Sequence, residues 1–112
     1  MSSSIDRALE ICQKLEAAGV RATTDPSALN LPAILVPPPR RRFDLGCGYT
    51  AVWGLRAIAP APTGGDRIAW GILDELVDTI AATLPAEDAI PYGFPLFGQL
   101  LPSYLVTFTE AI

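Results

Sequence analysis

The sequence predicts an α+β fold, a single mixed or antiparallel sheet of about five strands with two helices packed on one face. Three observations carry this. Apolar residues recur at helical spacing in two well-separated segments, 4–18 and 66–84. The segments 20–24, 33–36, 41–59 and 103–110 are instead short apolar runs or alternate apolar with polar residues, as strands do. Proline and glycine clusters stand between these segments and punctuate them. The expected order is α-β-β-β-β-α-β, in one domain spanning residues 1–112.

The first helix is expected over 4–18. Ser3 or Ser4 can cap it, Asp6 suits its first turn and Gly19 follows its end. Its apolar face is read as Ile5, Leu9, Cys12 and Leu15, widened by Ile11. "VRATT" (20–24) reads as a short strand and "DPSALNLP" (25–32) as turn chemistry opened by Asp-Pro. "AILV" (33–36) is a continuous apolar run, the pattern of a strand buried on both faces. Pro37–Pro39 stop it, because proline cannot donate to a ladder.

Residues 41–59 read as a hairpin turned at Gly46-Cys47-Gly48. Tyr49, Ala51, Trp53, Leu55 and Ala57 fall on one face of its second strand. Thr63 and Asp66 resemble a capping box for the second helix. Its spine is read as Trp70, Leu73, Val77, Ile80 and Leu84, with Ala69, Ile72 and Leu76 alongside, and its wet face as Arg67, Gly71, Asp74, Glu75 and Asp78. "SYLVTFTEAI" then closes the chain as a strand. The intervening "PAEDAIPYGFPLFGQLLP" (85–102) holds four prolines and no basic residue, yet many large apolar side chains. It is read as an irregular apolar loop, and an apolar loop of this length calls for a cover: a partner protein or, with the segment folded back, the chain's own core.

Composition narrows the function. Half of the 112 residues are apolar and the net charge is −4, which fits a globular chain and argues against a general nucleic-acid binder. With no histidine, no metal-ligand spacing and no base to activate Cys47, no catalytic, cofactor-binding or metal residue is expected, and no cofactor. Neither a signal peptide nor a membrane span is read in the sequence. Two segments stand out as contact surfaces. Arg40, Arg41 and Arg42 follow three prolines, a combination that blocks unwanted strand pairing and suits subunit contacts. Ile90, Tyr92, Phe94, Leu96, Phe97 and Leu100 supply the apolar loop with partner-sized side chains.

Taken together, "TTDP…N.PA.LV.PP", "DLGCGYTAVW", "AWGILDELVDTIA" and "LPSYLVTFTEAI" cover most of the chain. In them the sequence resembles the small tail-terminator proteins of long-tailed bacteriophages, especially those infecting actinobacteria. The resemblance implies a non-enzymatic virion protein, assembled in the host cytoplasm into a homo-oligomeric ring, a hexamer by expectation. Such a ring sits on the last ring of the tail tube protein, stops its polymerisation and presents a surface to the head-side connector or stopper protein. DNA passes through its lumen without specific binding, and no membrane is involved. The alternatives are another neck, connector or head–tail completion protein, a monomeric binding module, or a small enzyme dependent on Cys47.

Overall fold

The computed structural model describes residues 4–43, 48–60, 66–96 and 98–111. The expected fold class is present: one mixed six-stranded sheet with two helices, α1 (Ser4–Ala17) and α2 (Asp66–Thr83). The strands are β1 (Ala22–Thr23), β2 (Ala33–Leu35), β3 (Arg40–Phe43), β4 (Tyr49–Ile58), β5 (Asp88–Leu96) and β6 (Gln99–Ala111). Their order across the sheet is β1-β2-β4-β6-β5, with β3 also paired to β4. All pairs are antiparallel except β1 with β2.

The alternation in β4 fixes the core. Ala51, Trp53, Leu55 and Ala57 point inward and are fully buried, facing the two helices. β6 adds Val106 and Phe108 to the same face through the pairs Leu55–Val106 and Trp53–Phe108. The Trp53 and Phe108 rings stack with centroids 6.4 Å apart, a contact worth about 1 kcal/mol beyond the area buried. Ile11 and Leu15 of α1 and Leu73 and Ile80 of α2 close this core.

The helix ends follow the expected chemistry at Gly19. Val20 N–H donates to Leu15 C=O (3.2 Å) and Gly19 N–H to Glu16 C=O (3.0 Å), with Gly19 at φ 96°. This double bond pattern needs a left-handed residue after the helix, which glycine adopts without a Cβ penalty. Asp25 likewise opens a single 3-10 turn at Pro26–Ala28 by accepting from Ser27 N–H (2.9 Å). The capping residues Ser3 and Thr63 and the turn at Gly46-Cys47 lie outside the described residues.

Three expectations need correction. Residues 85–102 are no irregular loop: β5 and the start of β6 form a hairpin across them, paired from Asp88–Thr107 to Leu96–Gln99. Pro91 and Pro95 are compatible with this because β5 is an edge strand, where a missing donor costs no ladder bond. The second correction is in α1. Its buried face is Ala8, Ile11, Cys12 and Leu15, while Ile5 and Leu9 are 54% and 47% exposed. The third is Trp70, expected in the spine of α2 but 61% exposed; Ala69, Leu73, Leu76, Ile80 and Leu84 form the spine instead. In both helices the small residue next to the larger one faces the sheet, which lets the helix pack closer.

Candidate assembly interface

Two hairpins leave the sheet in opposite directions. β4 and β6 are antiparallel, so the start of β4 lies beside the end of β6 (Thr50–Ala111). The β3–β4 hairpin therefore turns at one end of the molecule. The β5–β6 hairpin turns at the other, running past Ser103–Ile58, the last pair that β6 makes with β4. Its pairs Gly93–Pro102, Phe94–Leu101, Pro95–Leu100 and Leu96–Gln99 form a two-stranded arm, and the molecule is 52 Å long. Gly98, at φ 79°, supplies the left-handed residue at the tip.

From Ala89 to Thr109 the chain carries no charged residue. The two faces of the arm differ in what covers them. Phe94, Leu96 and Leu101 pack with Leu29, Leu31, Leu35 and Ile58 into a second small core on the face away from the helices. Tyr92 accompanies them: Arg56 donates to its hydroxyl (3.1 Å) and lies 5.4 Å from its ring centre. Burial pushes the Tyr92 phenol up, partly offset by the Arg56 hydrogen bond.

By register the opposite face carries Pro91, Pro95, Leu100 and Pro102, and Leu100 is 73% exposed. Beside it lies a groove of about 510 Å³ between the arm and α2, lined by Ala69, Trp70, Leu73, Pro91, Pro102 and Tyr104. Trp70, missed as a surface residue by helical periodicity, forms its outer wall.

The structure thus divides the expected contact residues. Ile90 and Leu100 are exposed, while Tyr92, Phe94 and Leu96 are half-buried against their own chain. Phe97 lies outside the described residues. Arg40, Arg41 and Arg42 are exposed at the far end, with Phe43 next to them. Arg41 stacks over the Tyr49 ring at 4.8 Å. The arginines and the arm do not meet within one chain.

The edge chemistry of β5 limits how the arm can bind. Ala59 N–H donates to Pro102 C=O (3.0 Å), so even-numbered residues of β6 turn their backbone toward β4 and odd-numbered ones toward β5. The β5 partners of those odd residues are even-numbered, so the backbone of Ala89, Pro91, Gly93 and Pro95 faces outward. Two of the four lack a donor, and Ala89 N–H is taken by its neighbour Asp88 (2.9 Å). Strand addition finds little to pair with there; side chains are what the arm offers.

At the arginine end, a polar anchor ties α1 to the sheet. Glu110, paired with Ala51, accepts from Arg7 Nε (2.8 Å), Arg7 Nη2 (3.0 Å) and Trp53 Nε1 (2.9 Å). Burial raises the Glu110 carboxyl, but the Arg7 and Trp53 hydrogen bonds and the charges of Arg7 and Lys14 outweigh it and hold it below the usual range. The anchor places the exposed Ile5 and Leu9 at the same end as β3, and Ile5 and Pro38 line one small cavity there.

Cys12 is buried, and burial, with some help from Glu16, pushes its thiol up; Cys47 lies outside the described residues. No helix is long and apolar enough to cross a membrane among the described residues. No protein-family model, curated protein or solved structure matches the chain.

Proposed function

We propose that the chain is a tail-terminator subunit of a long-tailed bacteriophage, assembling as a ring that caps the tail tube and receives the head-side connector. The observation that carries this reading is the uncharged β5–β6 arm. Its exposed Leu100 and the Trp70 groove beside it form an apolar surface at one extremity of an elongated subunit. Such a surface marks a contact with another protein. The resemblance in the "TTDP", "DLGCGYTAVW" and "LPSYLVTFTEAI" segments supports a ring on a tail tube as that contact. The ring is a hexamer in this reading, with DNA passing through its lumen and the virion neck as its location.

The test uses purified protein and tail tubes. Added protein is expected to bind tube ends as a ring, measured by electron microscopy and by the mass bound per tube. Particles assembled without it should carry tails of unregulated length. Normal tails beside leaking heads would instead assign the chain to head closure, and a protein that ignores tubes would remove the reading.

A further inference from the structure

We propose that successive copies of this chain meet head to tail, with the arginine strand of one copy seated on the acidic side of α2 in the next. The proposal deepens the ring reading and rests on it. Ring closure needs two different surfaces on one subunit, placed so that each meets the other on a neighbour. The two ends of the molecule supply such a pair.

One end is basic and aliphatic. β3 presents Arg40, Arg41 and Arg42 on an exposed strand, and Ile5 and Leu9 stand on the helix beside it. Of the acids of this end, Glu10 and Glu110 are engaged by Arg7, and Asp6 stands in the first turn of α1. Among the described residues the ion pairs all involve Arg7, so the three arginines of β3 have no ionic partner there. The other end is aromatic and acidic. Trp70, Asp74 and Asp78 follow one another at four-residue spacing along the exposed side of α2, with Glu75 adjacent. Arg67 lies a turn before this stripe, and Arg21 lines one cavity with Glu75 and Asp78 while its guanidinium donates to the Asn30 and Leu31 carbonyls. Asp74, Glu75 and Asp78 likewise have no ion pair among the described residues.

The match is therefore double. Three cations without an ionic partner among the described residues, Arg41 of them stacked over Tyr49, face three anions likewise without one. Each set shares its end with exposed apolar side chains: Ile5 and Leu9 on one copy, Trp70 and its groove on the other. Two identical ends brought together would oppose like charges, which costs several-fold to orders of magnitude in affinity. A two-fold pair that crosses each strand with the other copy's helix would match the charges but close at two copies, so the ring reading requires the same contact repeated head to tail.

The experiment is a charge swap. One variant carries Arg40→Glu, Arg41→Glu and Arg42→Glu; the other carries Asp74→Lys, Glu75→Lys and Asp78→Lys. All six side chains are exposed, so circular dichroism and thermal melts should match the parent. Self-association is read by sedimentation velocity and by ring occupancy on tail tubes. Each variant alone should associate about a hundredfold more weakly than the parent. Mixed in equal amounts, they should recover assembly, because each reversed strand then meets a reversed helix around an even-membered ring. Parent rings indifferent to both reversals overturn the pairing and leave the ring reading standing, as does a mixture that fails to recover. A parent chain that never self-associates, in solution or on tubes, overturns the ring reading and this pairing with it.

Discussion

Replacing Glu110 by alanine tests how the arginine end is held together. Three donors lose their acceptor at once: two from Arg7 and the indole N–H of Trp53. They are not equal. Trp53 is fully buried, and a buried donor left without a partner costs about 1–3 kcal/mol. The Arg7 side chain is 21% exposed and already reaches Glu10 at 3.3 Å, so it can turn to Glu10 and water for about 1 kcal/mol or less. Glu110→Ala should therefore lose about 2–4 kcal/mol, and Arg7→Ala about 1, since Glu110 keeps Trp53 and some solvent. Glu110→Gln should fall between, because its carbonyl can still accept from Trp53. Urea denaturation followed by tryptophan fluorescence reads all three as midpoint shifts at constant m. If Arg7→Ala costs as much as Glu110→Ala, the surface ion pair is the larger contributor and the assignment to Trp53 is refuted. The pH dependence has a definite sign. Glu110 is held below the usual carboxylate range, so its contribution is present above the unfolded value of about 4.3 and is lost as pH falls through the folded value. The parent should lose more stability on acidification below that pH than Glu110→Gln does.

The remaining predictions concern the arm and the thiol. Leu100→Lys, at an exposed position, should change stability by less than about 0.5 kcal/mol while abolishing ring formation on tubes, checked by parallel melts and micrographs. Leu101→Ala, at a buried position of the second core, should cost about 2–3 kcal/mol and raise hydrogen exchange along the arm selectively. Replacing Pro91 and Pro95 by valine should open the outer edge of β5 to strand addition, seen as concentration-dependent light scattering absent from the parent. In a Cys47→Ser background, Cys12 should react with a thiol reagent only on unfolding, since burial both covers it and raises its thiol.

What was legible in the sequence depended on which signal was local. The β4 alternation from Tyr49 to Ala57 depends on a two-residue period, and its buried face is the one expected. Gly19 and Asp25 act through hydrogen bonds within a few residues, so their roles were readable too. Ile5, Leu9 and Trp70 were misplaced because helical periodicity marks a stripe but not its width or centre. With a small residue available, Ala8 or Ala69, the helix rolls to bring it against the sheet and leaves the larger side chain outside. The arm was hidden by its prolines, which speak against a strand only where both edges must be paired. Neighbouring strands that leave one edge free are a tertiary fact, and no run of residues states it.

That same tertiary fact gives the prolines of this chain a common physical role. β2 and β3 both lie along one side of β4, at opposite ends of it, and Pro37–Pro39 bridge the interval between them. The strand can thus resume on the same edge with its four exposed residues, three of them arginines, where charge discourages a foreign strand. On the far side of the sheet Pro91 and Pro95 remove two of the four outward donors of β5, and Asp88 takes that of Ala89. The remaining terminal strand, β1, is only two residues long, so the sheet has little open edge on which to extend into a neighbour. In the proposed ring, association would rest on side chains at the two ends, where charge and shape select a geometry that closes. In the proposed ring that would be the safer chemistry: an open edge would accept any strand, whereas the proposed pairing of a basic strand with an acidic helix stripe is selective.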